Sequence, residues 1–313
     1  TTTFGLYFAT RFNLKQQIRL VALTFAVGAF ASVLMVVGMP AVGRHTTIHV
    51  GAWRGIFGDK NIFGAMMVLG SLAFYTLPIE RWWDQWIKWI GIGVCFVLIL
   101  LSTSKTALIL SIALFLLLSF YRNFRWRGKF SVVLGSISVL VLSSAMVAFL
   151  SNWTEIVRQL GRDPTLSGRT YIWRVAFARI LDQPLFGYGR SAFWAPESPY
   201  PKEVNNFMSV YYRAPHVHNG FIETALDVGL VGLILFLICL GTAFIIALQR
   251  AYKTRSPEQL WALGFLILLT ANNMSESLVL RLSSIYWVLF VATVLTVKQR
   301  VPIVEEEPEI APP

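Results

Sequence analysis

The chain has 313 residues, 56% of them hydrophobic and only 14% charged, with a mean hydropathy of +0.61 and a net charge of +11. Soluble globular chains carry about a quarter charged residues, so the composition excludes that class and predicts an all-α polytopic membrane protein. In such a protein the meaning of the positive charge depends on where the charged residues lie, and no nucleic-acid partner is predicted.

The predicted elements begin with "TTTFGLYFAT", which looks like the tail of an apolar helix rather than a natural start. We therefore expect the chain to be truncated at its N-terminus, with further spans preceding it. A helix needs roughly 20 apolar residues to cross a bilayer, and eight segments approach that length. They lie at about 20–38, 62–78, 87–101, 106–121, 131–150, 228–248, 260–274 and 284–297.

The charges of the connecting segments predict the orientation of these spans. Basic residues concentrate in 11–19, 122–129 and 249–259, which alternate onto one side, and the positive-inside rule assigns that side to the cytoplasm. The segments on the periplasmic side are then 39–61, 102–105, 151–219 and 275–283. The predicted organisation is N-terminal transmembrane helices over 1–150, a periplasmic loop with short amphipathic helices over 151–219, C-terminal transmembrane helices over 220–297 and a disordered cytoplasmic tail over 298–313.

The long segment 151–219 carries eight lysines and arginines against five acids. This excess favours an anionic partner such as a phosphate, although a solvated surface explains most of these residues singly. One helix is predicted from Asn152, and a second from the N-cap Ser167 to the breaker Pro184. On the second helix Arg169 shares a face with apolar residues, so we expect it to be held against packed protein. Those apolar residues are Trp173, Ala176 and Ile180.

The segment "HVHNG" at 216–220 precedes the predicted span 228–248 and holds two of the four histidines. If the helix begins near Asn219, the positive end of its dipole disfavours the imidazolium form of His218, and a neutral ring suits a general base. A helix cap or a headgroup contact is the structural alternative. A metal bound by His216 and His218 is another alternative, but no cysteine or paired carboxylate with ligand spacing lies nearby in the sequence.

Four residues of the following helix are predicted to be structural. Glu223 and Asp227 lie in its first turns, where acidic side chains suit the positive end of the dipole. Gly229 and Gly232 have no side-chain bulk and would let another helix approach closely.

Three basic residues on the predicted periplasmic side could contact an anion. Arg54 and Lys60 lie in "GAWRGIFGDKNIFG", where an arginine, an amide and small residues could form an anion-binding rim. Lys105 occupies the tight turn "STSK" between two spans. Snorkelling to the membrane interface, or anchoring of the turn, is the alternative for the two lysines.

These motifs together resemble the O-antigen ligase and O-antigen polymerase family. His218, Asn219, Gly229 and Gly232 reproduce its signature of His-Asn, nine residues, Gly, two residues and Gly. The segment "SGRTYIW" is similar to the Arg-x-x-x-apolar motif of its large periplasmic loop, with Trp173 where leucine is common. The segments "WRGIFGDKNIFG", "STSKTA" and "QPLFGYGRSAFW" are similar to its other outer segments, and the loop looks most like that of exopolysaccharide-production polymerases.

The resemblance implies a GT-C-like membrane fold and a metal-independent, inverting glycosyltransferase, set in a bacterial inner membrane with its active site facing the periplasm. It implies a polyprenyl-pyrophosphate-linked glycan as donor, a hydroxyl of a glycan or of lipid A-core as acceptor, membrane lipids as partners, and no cofactor. By the same resemblance His218 would be the catalytic base, and Arg54 and Arg169 would hold the departing pyrophosphate. The predicted substrate-binding residues are Asn219, Lys105, Lys60, Arg174 and Arg190.

Two other functions are open at this stage. One is a transporter of an anion or of a lipid-linked sugar, although transporters concentrate ionisable residues at mid-membrane, and the predicted spans are almost free of charge. The other is a non-catalytic subunit of a polysaccharide export system.

Overall fold

The computed structural model describes residues 1–46, 49–123, 169–205, 216–253, 256–281 and 283–298. Within these ranges the regular structure is helical, apart from an isolated β-bridge between Arg44 and Trp53, so the predicted all-α class is confirmed. Several predicted features lie outside the described residues. They are the span at 131–150, the helix from Asn152, the N-cap Ser167, most of the basic segment 122–129 and residues 299–313 of the tail.

The described helices follow the predicted apolar segments. They are α1 (Thr2–Arg11), α2 (Leu14–Gly38), α3 (Pro40–Gly43), α4 (Lys60–Tyr75), α5 (Trp82–Leu101), α6 (Lys105–Asn123), α7 (Arg169–Asp182), α8 (Tyr200–Asn205), α9 (Gly220–Lys253), α10 (Leu260–Asn273) and α11 (Ile285–Thr296), with 3-10 turns at Gly55–Phe57 and Pro257–Gln259. In the described part of the chain, three stretches are long and apolar enough to cross a membrane: Leu14–Gly38, Trp82–Ser102 and Gly220–Lys253.

Helix α4 forms the centre of the apolar core. Its side chains are buried around most of the helix, from Phe63 to Tyr75, and α2, α5, α6 and α10 pack around it. The membrane-length helices instead keep large apolar side chains exposed, such as Val37, Trp86 and Ile238. An apolar face that no protein covers is expected where a helix meets lipid tails, which fits a polytopic membrane protein.

The segments predicted to be cytoplasmic contact one another at one end of the helices. Arg19 Nη2 lies 2.8 Å from Glu80 Oε2. Gln17 Nε2 donates to Thr296 Oγ1 at 3.1 Å, and Arg250 Nη1 donates to the Thr296 carbonyl at 3.4 Å. Residues from two of the three basic connections therefore meet at a common polar end, as alternation of the spans predicts.

Two segments predicted to be periplasmic also lie together. The Trp53 N–H donates to the Leu101 carbonyl at 3.0 Å, and the Ser104 hydroxyl donates to Asn61 Oδ1 at 3.1 Å. These bonds join the arginine-containing outer segment to the "STSK" turn. The side of the membrane that each end faces is still a prediction.

Candidate functional site

Helix α9 begins at the predicted His-Asn segment. Asn219 is buried, and its Oδ1 accepts hydrogen bonds from the N–H groups of Phe221 (3.0 Å) and Ile222 (3.2 Å). A side-chain acceptor at this position satisfies amides that have no partner inside the helix. The predicted helix start near residue 219 is confirmed, while substrate binding by Asn219 stays a prediction.

The helix is interrupted at Gly229, which has φ 70° and ψ −176°. The N–H groups of Leu230 and Val231 donate to the carbonyls of Pro184 (2.7 Å) and Leu185 (3.3 Å) rather than within the helix. A Cβ at position 229 would overlap the Leu185 carbonyl, and positive φ favours glycine. The prediction that this glycine admits another helix is therefore wrong, because it admits the backbone of the loop after α7.

The two acids of α9 hold neighbouring segments in place. Glu223 Oε2 accepts from the Val217 N–H at 2.8 Å and from the Ser277 hydroxyl at 3.2 Å. Asp227 Oδ1 accepts from the Ser191 N–H at 2.9 Å. Both acids therefore have a structural role through specific hydrogen bonds, and their predicted complement to the helix dipole stays a prediction.

Two histidines and an arginine meet at the carboxylate of Glu276, in the turn after α10. His218 Nδ1 lies 3.4 Å from Glu276 Oε2, and His216 Nε2 lies 3.9 Å from the same oxygen. Arg169 Nη2 lies 3.5 Å from the other oxygen, Oε1. The structure thus brings His218 and Arg169, both predicted from motifs, to opposite sides of one carboxylate.

Helix α7 positions Arg169 as its pattern predicts. Ala176 and Ile180 are buried against α9, and Arg169 lies at the start of the same helix with its side chain held at Glu276. Trp173 Nε1 donates to the Val217 carbonyl at 3.0 Å. The tryptophan that departs from the family pattern therefore fixes the residue between the two histidines.

Sequence reasoning alone does not identify Glu276 or Arg281, because neither belongs to a motif. The available signal is their position, since they are the only acid and the only basic residue of the predicted periplasmic segment 275–283. Burial lowers the pKa of His216 to about 3, with smaller contributions from electrostatic interactions with His218, Arg281 and Arg169. His216 is therefore neutral near pH 7.

His216, His218 and Glu276 could also hold a metal ion, since each offers a ligand atom and these atoms lie within 4.8 Å of one another. Three protein ligands are typical of a catalytic zinc site, and the carboxylate that is missing from the neighbouring sequence comes here from Glu276, in a distant segment. However, His216 Nδ1 accepts a hydrogen bond from the His218 N–H at 3.1 Å. In a neutral His216 ring the proton is then on Nε2, the nitrogen that faces Glu276. A metal ion would need the lone pair of that same nitrogen, so the ring cannot keep this hydrogen bond and bind a metal through Nε2 at the same time.

Arg54 is hydrogen-bonded to the main chain of α3. Its Nε donates to the Val42 carbonyl at 2.7 Å and its Nη2 to the Ala41 carbonyl at 3.3 Å. Among the described residues, these side-chain bonds do not join it to Arg169 or His218. Two of its nitrogens thus fasten the chain around α3, and its role toward a pyrophosphate stays a prediction.

The other predicted substrate-binding residues are spread over several elements. Lys60 opens α4, where its N–H donates to His45 Nε2 at 3.3 Å, and Lys105 is exposed at the start of α6. Arg174 is exposed on α7, and Arg190 is exposed in the following loop. Contact between these side chains and a substrate stays a prediction.

Comparison with known proteins agrees with the motifs. Residues 90–237 match the family described as O-Antigen ligase. The exopolysaccharide production protein ExoQ of Rhizobium meliloti is 35% identical over 123 residues, which cover 39% of this chain and 28% of that protein. Proteins named as candidate polysaccharide ligases in Rickettsia conorii and Rickettsia felis are 33% identical over 86 residues and 32% identical over 87.

The alignments with the two Rickettsia proteins cover 26% of this chain and 20% of each relative. The chain thus aligns with less than a third of the length of each of these three relatives. The matched family region contains Arg169 and His218, whereas Arg54 and Glu276 lie outside it. The match over residues 90–237 therefore confirms the resemblance to the O-antigen ligase family that the motifs predict.

Proposed function

We propose that the protein is an inverting, metal-independent glycosyltransferase in the inner membrane of a bacterium. It transfers a glycan from a polyprenyl pyrophosphate to an acceptor hydroxyl at the periplasmic face. The observation that carries the proposal is the grouping of His218, Glu276 and Arg169 at the entrance of the membrane-length helix α9. A lipid-anchored donor presents its pyrophosphate at this height, just outside the apolar part of the helix.

The grouping supplies the parts that a single displacement needs. His218 accepts the proton of the acceptor hydroxyl while that oxygen attacks the anomeric carbon of the donor sugar. The bond from this carbon to the pyrophosphate oxygen breaks, and the leaving group departs with the electron pair. Arg169 stabilises the charge that develops on the pyrophosphate. Attack opposite the leaving group inverts the configuration at the anomeric carbon.

A pyrophosphate carries more charge than one arginine neutralises, so the proposal includes further cations. Arg54 is proposed as the second arginine that binds the pyrophosphate. Its Nε and Nη2 donate to the carbonyls of Val42 and Ala41, so Nη1 is the nitrogen proposed to contact the substrate. Arg281 is exposed and close enough to His216 to influence its charge state. It is a further candidate that the motifs do not include.

Metal independence is supported by the leaving group and by the hydrogen bonds of the histidine cluster. Pyrophosphate leaves readily when arginines balance its charge, so a Lewis acid is not required. The names of the relatives, an exopolysaccharide production protein and polysaccharide ligases, favour a polysaccharide substrate. Either a growing glycan or lipid A-core is proposed as the acceptor.

The test is transfer by the purified protein in liposomes, with a polyprenyl-pyrophosphate-linked oligosaccharide as donor, a glycan acceptor and EDTA throughout. NMR of the product reports the configuration at the new linkage. The proposal predicts transfer in EDTA with inversion. Retention of configuration would contradict the single displacement, and activity that requires an added divalent cation would contradict metal independence. Movement of the donor across the bilayer without transfer would favour a transporter.

A further inference from the structure

Glu276 joins the two charged groups that the proposed chemistry uses. Its Oε1 faces Arg169 Nη2 at 3.5 Å, and its Oε2 faces His218 Nδ1 at 3.4 Å. The side chain is 26% exposed, so this carboxylate is only partly open to solvent. Because one small group contacts both partners, it sets the position of the imidazole relative to the guanidinium.

His216 limits how the protons in the cluster can be arranged. Its Nδ1 accepts from the His218 N–H at 3.1 Å, so the proton of the neutral ring lies on Nε2. That N–H points toward Glu276 Oε2, 3.9 Å away. The same oxygen therefore faces a nitrogen of each histidine, and a carboxylate oxygen can accept from both.

The backbone at His218 is held in an unfavourable conformation. Its φ is 56°, in the left-handed region that residues with a side chain rarely adopt. Such outliers persist only where surrounding contacts enforce them, and they concentrate at functional sites. Here the neighbouring residue Val217 is held by Glu223 on its N–H and by Trp173 on its carbonyl, and the His218 N–H is held by His216.

We infer that Glu276 is a positioning residue for the proposed transfer and that His216 supports it. In this role the Nδ1–H of His218 is directed at the carboxylate, whose Oε2 lies 3.4 Å from Nδ1, and the lone pair of Nε2 takes the proton of the acceptor hydroxyl. When the hydroxyl proton moves to Nε2, the ionised carboxylate stabilises the imidazolium that forms. This inference rests on the proposed function, because it assigns a task to Glu276 only if His218 is the base.

The first arm of the experiment compares Glu276→Gln with wild type in the transfer assay. The amide keeps the size of the side chain and an acceptor oxygen but removes the charge, so kcat should fall about 100-fold. The KM for the lipid-linked donor should change little, because Arg169 still faces the pyrophosphate. Glu197→Gln is the matched control, since Glu197 is an exposed acid on the same predicted side, and it should keep the wild-type kcat.

A second arm uses Glu276→Ala with added formate, which can occupy the place of the missing carboxylate. Formate should raise kcat of this variant at least about tenfold and leave wild type unchanged. If Glu276 only stabilised the fold, formate would not raise the kcat of this variant. Failure of formate to raise kcat in a variant that is folded, judged by its Tm and by donor KM, would overturn the inference.

Parallel measurements on His218→Ala separate this inference from the proposed function. If His218→Ala transfers at the wild-type rate, the proposed function itself fails. If His218→Ala is inactive while Glu276→Gln keeps the wild-type kcat, only the role of Glu276 is overturned. Purified protein that contains one bound transition metal, lost in Glu276→Gln, would show a metal ligand instead of a positioning residue and would also overturn the inference.

Discussion

The two histidines of the "HVHNG" segment have different environments although one residue separates them. His216 is buried, with its Nδ1 bound to the His218 N–H and its Nε2 directed at Glu276. His218 is slightly less buried, with 16% of its side chain exposed against 11% for His216, and its Nδ1 lies 3.4 Å from Glu276 Oε2. His216 therefore supports the segment, and His218 stays the proposed catalytic ring.

Burial of neutral His216 predicts a pH dependence of stability. Its pKa in the folded protein is about 3, below the ordinary value of 6.5, so between these values the unfolded chain binds more protons. Stability should therefore fall as the pH drops through 6.5, by at most roughly 2 kcal/mol at pH 5. The Tm of His216→Gln should drop less than that of wild type between pH 7.5 and 5. Exposed His49→Gln is the control, and an equal drop in wild type and His216→Gln would contradict this.

Arg169 should act through both its charge and its fork of donors. Arg169→Gln should lower kcat/KM for the lipid-linked donor about 10- to 100-fold, because charge-assisted hydrogen bonds to the pyrophosphate are lost. Arg169→Lys keeps the charge but not the planar fork, so its kcat/KM should be intermediate. The control Lys202→Gln removes an exposed charge from α8 and should have no effect. Wild-type kcat/KM in Arg169→Gln would remove this residue from the proposal.

For single residues, the sequence predicts the site positions that are determined by spacing within one segment. His218 and Arg169 are found because a motif and a helical face place them, and both lie in the cluster. Glu276 is not found because its proximity to His218 depends on how the turn after α10 packs against the start of α9. Arg54 is found by its motif, but the spacing does not reveal that two of its nitrogens bind main-chain carbonyls.

Among the elements, α9 is shaped by the loop that precedes the histidines. The break at Gly229 lets the turn after α7 insert its carbonyls into the helix, while Tyr188 and Gly189 donate back to the carbonyls of Leu226 and Asp227 at 2.8 and 3.0 Å. These reciprocal bonds tie α7, which carries the cluster arginine, to the helix that begins at the histidines. The relative position of arginine and histidine therefore depends on this junction.

Replacing Gly229 by alanine should destabilise the junction. The added Cβ would overlap the Leu185 carbonyl, and a positive φ in a residue with a side chain costs on the order of 1–3 kcal/mol. The Tm of the purified variant should therefore fall, and transfer should fall with it. Gly241→Ala lies in the same helix with nothing within 4 Å of the new Cβ, so its Tm should be unchanged or slightly higher. Equal Tm values for the two variants would contradict the role of the junction.

The hydrophobic pattern of the sequence predicts where the helices lie, but it does not predict where a helix is broken. The apolar segments coincide with helices in the described ranges because an apolar run of this length has few other ways to satisfy its backbone in lipid. The break at Gly229 is invisible in that pattern, since the residues around it are apolar. It depends instead on the loop backbone that approaches from outside the helix.

At the scale of the whole molecule, the ion pairs of the described residues lie near the ends of the helices. Arg19, Glu80 and Arg250 mark one end, and the cluster around Glu276 marks the entrance of α9, which ends in the basic residues near Lys253. Basic residues at a helix C-terminus suit its dipole, and their concentration on one side is the signature of the cytoplasm. The cluster would then face the periplasm.

This orientation can be tested by labelling with a membrane-impermeant maleimide. In a background where Cys95 and Cys239 are replaced by alanine, Glu197→Cys should react in intact cells whose outer membrane has been made permeable. Lys253→Cys should react only after the inner membrane is opened, because its segment is predicted to be cytoplasmic. The opposite labelling pattern would reverse the orientation and remove the periplasmic site. Both positions are exposed in the structure.

The central claim is that His218 is the base of a glycan transfer, and the rate of transfer by His218→Ala tests it most directly. The variant should be found in the membrane at the wild-type level, with donor KM and Tm close to wild type, and its transfer rate should fall at least about 100-fold. The matched control His49→Ala, an exposed histidine, should transfer at the wild-type rate. Transfer by His218→Ala at the wild-type rate would contradict the account.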